Sequence, residues 1–234
     1  MIRNFYDTEG NYWVSKDVNL NGHDYVDLDL PSRTLWAWKN VGAYSPDESG
    51  LYFQWGDTQG YTKDQIGISE GKKEFSLDGD DYKWYESGNA YDLNVKFKKY
   101  NTEGARLDLE DDAAHVNMGG SWHMPTIKQI NELLDFTNNG EWGTLYGVEG
   151  MFFRSTMNGN EIFIPAAGCA QNGKIINNDV VHYGGYIWSN ELMRGGSYEG
   201  RYLGFDSNLI PENAYACSYS VNRCCGFSVR GVIG

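Results

Sequence analysis

The chain of 234 residues has only five prolines and four cysteines. The cysteines, Cys169, Cys217, Cys224 and Cys225, show neither CxxC spacing nor a paired-histidine motif. That argues against a zinc site and against a disulfide framework, and for small buried or surface thiols. His23, His115, His123 and His182 are scattered without HxxxH or Cys-His spacing, so structural or surface roles are expected and no metal. No stretch is apolar enough to cross a bilayer, and Met1-Ile2-Arg3-Asn4-Phe5-Tyr6-Asp7 lacks the apolar core of a signal peptide. No membrane insertion is therefore expected, and any export would run without a cleavable leader. Positive charge is scarce, with 19 Lys and Arg against 32 Asp and Glu and a net charge of -13. This balance excludes a sequence-independent binder of nucleic acid or anionic membrane, because neutralising phosphates takes clustered lysine and arginine.

What is abundant is glycine, 29 residues, and tyrosine, 17, as expected for a loop-rich β protein with many tight turns. A hydrophobic content of 41%, with aromatic residues making up 15% of the chain, suffices for one large domain. Residues 1–22 are turn-rich and read as an attachment or oligomerisation arm, leaving 23–234 as the domain. Tyr25-Val26-Asp27-Leu28-Asp29-Leu30 alternates apolar and acidic residues and predicts a half-buried strand. Leu35-Trp36-Ala37-Trp38 and Leu51-Tyr52-Phe53-Gln54-Trp55 predict aromatic strands, with a helical turn at Ser45-Pro46-Asp47-Glu48. The segment 57–106 shows no sustained period and reads as a long insertion. Two helices are expected. One covers Leu107 to Gly119, with acids at its start and glycine at its stop, and the other follows the Thr126–Gln129 capping box with Ile127, Ile130, Leu133 and Leu134 on one face. Asn158-Gly159 marks a hairpin.

The segment 188–232 combines ends suited to folding with a middle suited to contact. From Arg194 to Gly226 there is no Lys, Gln, Trp or Met, while Tyr198, Tyr202, Tyr215 and Tyr219 stand among Ser, Gly, Arg, Asn and Cys. Tyrosine gives contact area at low entropic cost, and the small polar residues give adaptable hydrogen bonding. Leu203 and Phe205 alternate with Tyr202, Gly204 and Asp206, so one strand face packs and the other is presented. The candidate ligand-binding residues are Arg194, Ser197, Tyr198, Arg201, Tyr202, Asp206, Asn213, Tyr215, Cys217, Ser218, Tyr219, Asn222, Cys224 and Cys225. Arg230 is expected to pair structurally with a carboxylate. Trp36, Trp38, Trp55, Trp122 and Trp188 are expected in the core rather than on a sugar-stacking platform. The acids Asp108, Glu110, Asp111 and Asp112 read as helix-capping or solvated groups rather than a calcium site.

In order along the chain, Tyr25 to Ala37, Asn40-Val41-Gly42-Ala43, Tyr52-Phe53-Gln54-Trp55-Gly56-Asp57-Thr58, Trp122-His123-Met124-Pro125-Thr126, Ile164-Pro165-Ala166-Ala167-Gly168, Trp188-Ser189 and Gly226-Phe227-Ser228-Val229-Arg230 resemble the Fibrobacter succinogenes major paralogous domain. The resemblance implies an α+β, C-type-lectin-like fold of the formylglycine-generating-enzyme subtype, with two short helices, antiparallel strands and long irregular loops. More narrowly, the chain resembles variable proteins of diversity-generating retroelements in phages and prophages of gut Bacteroides, with 188–226 as the variable region. In such retroelements template adenines are copied as any base, so AAC codons reach Tyr, Ser, Gly, Arg, Asp, Cys or His but not Lys, Gln, Trp, Met or Glu. The implied function is a non-enzymatic receptor-binding display protein at a virion fibre tip, without cofactor, contacting a host-surface protein or glycan. Its arm would join other virion proteins, with a homotrimer expected. The alternatives are a structural fibre or capsid-decorating protein, whose tyrosine face lies between protomers, and an oxidase using Cys224-Cys225. A location off the virion would be cytoplasmic or exported.

Overall fold

The computed structural model describes residues 5–6, 12–13, 20–76, 81–88, 95–176, 184–206 and 215–234, with backbone alone for 5–6, 12–13, 215 and 217. In chain order the strands are β1 (Phe5–Tyr6), β2 (Tyr12–Trp13), β3 (Tyr25–Asp27), β4 (Leu35–Ala37), β5 (Tyr85–Ser87), β6 (Lys96–Phe97), β7 (Glu141–Leu145), β8 (Val148–Arg154), β9 (Glu161–Pro165), β10 (Cys169–Gln171), β11 (Lys174–Ile176), β12 (Gly184–Leu192), β13 (Glu199–Asp206), β14 (Tyr215–Asn222) and β15 (Val232–Ile233). Helices α1 (Ala113–Met118) and α2 (Ile127–Phe136) fall between β6 and β7. The fold is mixed, mostly strands in small antiparallel sheets. Those sheets are β15-β4-β3, β7-β8-β9 and β12-β13-β14, with hairpins β1-β2, β5-β6 and β10-β11.

The helix expected over Leu107 to Gly119 is confined to Ala113–Met118, the acids before it forming a separate 3-10 turn at Leu109–Asp111, whereas the second helix starts where its capping box places it. Gly119, at φ 73, stops α1, and the Asp112 carboxylate accepts from the His115 amide at 2.9 Å at its start. In α2 the Thr126 hydroxyl accepts from the Gln129 amide at 3.2 Å, while the Gln129 side-chain oxygen accepts from the Thr126 amide at 2.9 Å. Two donors at the helix start are thus satisfied reciprocally. Ile127, Ile130, Leu133 and Leu134 are all buried.

The strand expected over Tyr25 to Leu30 ends at Asp27, since Asp29 turns left-handed at φ 52 with its amide bonded to the Asp27 carboxylate. Leu28 and Leu30 are nevertheless buried. Ser45 to Glu48 forms a hydrogen-bonded turn rather than a helical one, closed by Glu48 N to Ser45 O at 3.2 Å. The Asn158-Gly159 turn, with Gly159 at φ 78, joins β8 to β9. Within the insertion lie a 3-10 turn at Lys63–Gln65 and the β5-β6 hairpin, and buried Phe75, Tyr82 and Phe97 tie it to the body.

The β12-β13-β14 sheet separates the two main hydrophobic clusters. Ile187, Leu203, Phe205 and Ala216 face α2 together with Val26, Trp36, Met151 and Phe153. Trp188 and Leu192 face the other cluster, built from Phe53, Trp55, Trp122, Phe227 and Val229. Trp36, Trp55, Trp122 and Trp188 are fully buried, as expected of core residues, and Trp38 packs partly buried on the first cluster. Arg230 is also fully buried and structural, donating to Asn40 Oδ1 and to the carbonyls of Ala37, Trp38 and Phe163.

Candidate functional site: a tyrosine face on the β12-β14 sheet

Because strand side chains alternate between faces, the register decides which candidates share a surface. Tyr202 pairs with Tyr219, Gly204 with Cys217 and Asp206 with Tyr215. On the other side Trp188 pairs with Tyr202 and Tyr186 with Gly204. Tyr186, Trp188, Tyr202, Asp206 and Tyr219 therefore share one face, and Tyr215 and Cys217 hold strand positions in register with it. Five of these were selected from sequence.

The aromatic rings form a graded row. Tyr219, 40% exposed, lies 5.9 Å from Tyr202 at an interplanar angle of 36°. Tyr202 is half-buried, 4.9 Å from Phe227 and 5.8 Å from Tyr186. Tyr186 stacks on Phe227 at 5.0 Å and 20°. Gly204 makes this closure feasible, since a Cβ there would fall 2.7 Å from the Tyr202 ring. Tyr202 is thus supported from within rather than presented as a free ring, and Tyr219 is the outer contact. Tyr186 was not among the candidates, although its spacing of two from Trp188 places both on one strand face.

The remaining candidates do not join this face. Arg201 and Ser218 point to the opposite one, paired with Ser220 and Leu203. Arg194 and Arg201 line a cleft of about 760 Å³ beside α2, together with Arg106, Asn131, Asp135 and Glu191. Tyr198 packs half-buried on the cluster of Tyr82, Phe97 and Cys224. The Ser197 carbonyl accepts from Arg223, and Asn222 Oδ1 accepts from the Cys224 amide. Cys224 and Cys225, at 3% and 2% exposure, are a correction to the contact set: the turn after Asn222 carries them into the core. Asn213 lies outside the described residues, and for Tyr215 and Cys217 only the strand position is described.

The residue the sequence reading missed is Arg223, fully buried inside the proposed variable segment. It donates to the Tyr82 hydroxyl and to the carbonyls of Lys99, Tyr100 and Ser197. Its type and neighbours resemble those of the contact arginines, so no sequence signal separates it from them.

The acidic run does bring Asp108, Glu110 and Asp111 together. The Lys99 ammonium sits among them at 2.7, 3.2 and 2.6 Å, occupying the place a cation would take. Asp112 instead accepts from the Met124 and His115 amides, the expected capping role.

Burial pushes the phenols of Tyr52, Tyr61, Tyr82, Tyr100 and Tyr186 up. Tyr52, whose hydroxyl donates to the Ala167 carbonyl at 2.6 Å, and Tyr186, on the tyrosine face, both rise to about 12 from 10.0. A folded-state value above the unfolded one gives stability that is present below pH 10 and lost as the pH rises toward 12. For enclosed Tyr52 this amounts to about 3 kcal/mol. Alkaline titration followed by phenolate absorbance and circular dichroism together should show the last phenols ionising with unfolding. Complete ionisation before any loss of structure would contradict it.

No protein-family model, curated protein or solved structure matched the chain when compared with it.

Proposed function

We propose that the chain is a non-enzymatic binding module, a C-type-lectin-like scaffold whose diversified tyrosine face contacts a protein or glycan on a bacterial host surface from the tip of a phage fibre. The observation that carries this reading is the graded row Tyr219, Tyr202, Tyr186 over Phe227. Rings already held by the core lose little freedom on binding, so their contact area converts efficiently into affinity. The mixed fold of small antiparallel sheets, two helices and irregular loops is compatible with such a scaffold. Clusters on both sides of the sheet support the rings independently of the outer side chains, which can then change without loss of fold. The arm at 1–22 would attach the domain to other virion proteins as a homotrimer. The oxidase alternative needs a thiolate, and burial pushes the Cys224 thiol up, which holds back that form.

The test is labelling of intact Bacteroides strains by the fluorescent protein. Tyr219→Ala should reduce labelling of a responsive strain about 30-fold, the loss expected of an aromatic hot spot, with an unchanged melting temperature. Tyr202→Phe removes a hydroxyl while keeping the packed ring, and serves better than Tyr202→Ala, which would disturb the core. Undiminished labelling by the Tyr202→Phe, Tyr219→Ala double variant would remove the tyrosine face from the site.

A further inference from the structure

We propose that the cavity beside Tyr44 is a saccharide site, in which Asp24 and Lys39 bind a diol of a neutral sugar and the Tyr44 ring covers its C–H face. It shares no residue with the tyrosine face and does not rest on the function proposed above.

The cavity, of about 380 Å³, lies where the start of β3, the loop after β4 and the end of α1 meet, and is lined by His23, Asp24, Lys39, Val41, Leu51 and Asn117 among others. Asp24 Oδ1 is enclosed and has no hydrogen-bond partner among the described residues. A buried acceptor left unmatched is costly, and since Oδ1 itself is enclosed, a donor from outside the chain would meet this carboxylate through its other oxygen. Lys39 Nζ, on the same wall, donates to the Tyr44 carbonyl at 3.3 Å, and the Tyr44 amide donates to Glu48 Oε2 at 2.7 Å. The Tyr44 backbone is thereby held at both its polar groups while its side chain stands free, the residue being 87% exposed. Across Tyr44 opens a second cavity, of about 610 Å³, where Asp47 Oδ1 is likewise enclosed without a partner among the described residues.

These groups narrow the ligand chemistry. A cation would meet Lys39, and an anion would meet Asp24 and a chain of net charge -13. A neutral ligand that donates and accepts within one small volume suits both, and a vicinal diol does this by giving O–H to the carboxylate and accepting N–H from the ammonium. Burial lowers the His23 pKa and favours its neutral imidazole, whose N–H is engaged by the Met118 backbone, leaving the other ring nitrogen to accept. Tyr44 offers an apolar ring to the hydrocarbon face of the sugar. The first cavity suits one sugar ring, and the Asp47 cavity beyond Tyr44 would take a following unit.

The test titrates the full chain with a panel of neutral mono- and disaccharides by NMR, with glycine and tetramethylammonium as charged controls. At least one saccharide should saturate with roughly millimolar affinity. Asp24→Asn should weaken it about ten-fold and Tyr44→Ala about five-fold, while Tyr219→Ala leaves it unchanged. If Asp24→Asn does not fold, Tyr44→Ala decides alone, since its exposed ring is not needed for the core. Absence of saturation across the panel, preference for a charged control, or binding undiminished in the folded variants would overturn the proposal. Failure of Tyr219→Ala to affect cell labelling would leave this result untouched.

Discussion

Arg223→Ala is expected to destabilise the protein by about 4 kcal/mol, more than loss of any exposed residue of the segment around it. The guanidinium is fully buried and bonds through Nε to the Tyr82 hydroxyl at 3.0 Å, through Nη1 to the carbonyls of Tyr100 and Ser197 at 2.9 Å each, and through Nη2 to that of Lys99 at 2.9 Å. Its carbon also lies 3.6 Å from the centre of the Phe97 ring. The acceptors come from three stretches distant in sequence, so one side chain fastens the insertion and the β12-β13 loop to the end of β14. Removing it strands several oxygens, each costing about 1–3 kcal/mol when buried and unmatched, and leaves a cavity besides. Arg223→Lys should recover only a minor part, because three donors on a single nitrogen cannot span the four acceptors that Nε, Nη1 and Nη2 reach. Urea unfolding reads the difference, and an unchanged midpoint for Arg223→Ala would show that the oxygens find other donors. Under the proposed diversification arginine would be one of many residues admitted at this position, but its buried bonds tie it to the fold, so the segment 188–226 would not be uniformly free to vary.

The sequence was most legible where local chemistry and burial agree. Helix α2 could be read to its first residue because Thr126 and Gln129 cap each other and four apolar side chains share one face. Leu203 and Phe205 could be assigned inward from simple alternation, and both are buried. Cys224 and Cys225 could not be placed, since a turn at Asn222 redirects the chain from surface strand to core within two residues. Composition treats both sides of such a turn alike. Tyr202 lay between these cases. Its outward direction followed from alternation, but Phe227, 25 positions later, fills the space beneath it. The Tyr44 cavity was invisible for a related reason, being assembled from residues near positions 23, 40, 51 and 117.

The other large effect concerns Trp188, which joins the scaffold to the tyrosine face. It is fully buried, its indole N–H donates to the Phe53 carbonyl at 2.8 Å, its ring lies 4.3 Å from Phe227, and Tyr202 meets it edge-on at 6.1 Å. Trp188→Ala should cost about 3–5 kcal/mol through the cavity left and the donor lost. Trp122→Ala should cost a similar amount, since Trp122 is equally buried and its N–H donates to the Leu20 carbonyl at 2.8 Å, but its ring neighbour is His23 rather than a tyrosine of the face. The two variants therefore separate stability from presentation. At a temperature where both are fully folded, Trp188→Ala should lose the near-ultraviolet dichroism of the coupled tyrosine rings and bind cells weakly, whereas Trp122→Ala should retain the binding of the parent. Unchanged melting temperatures would contradict the packing, and equal binding by the two variants would mean that the rings of the face do not depend on the indole beneath them.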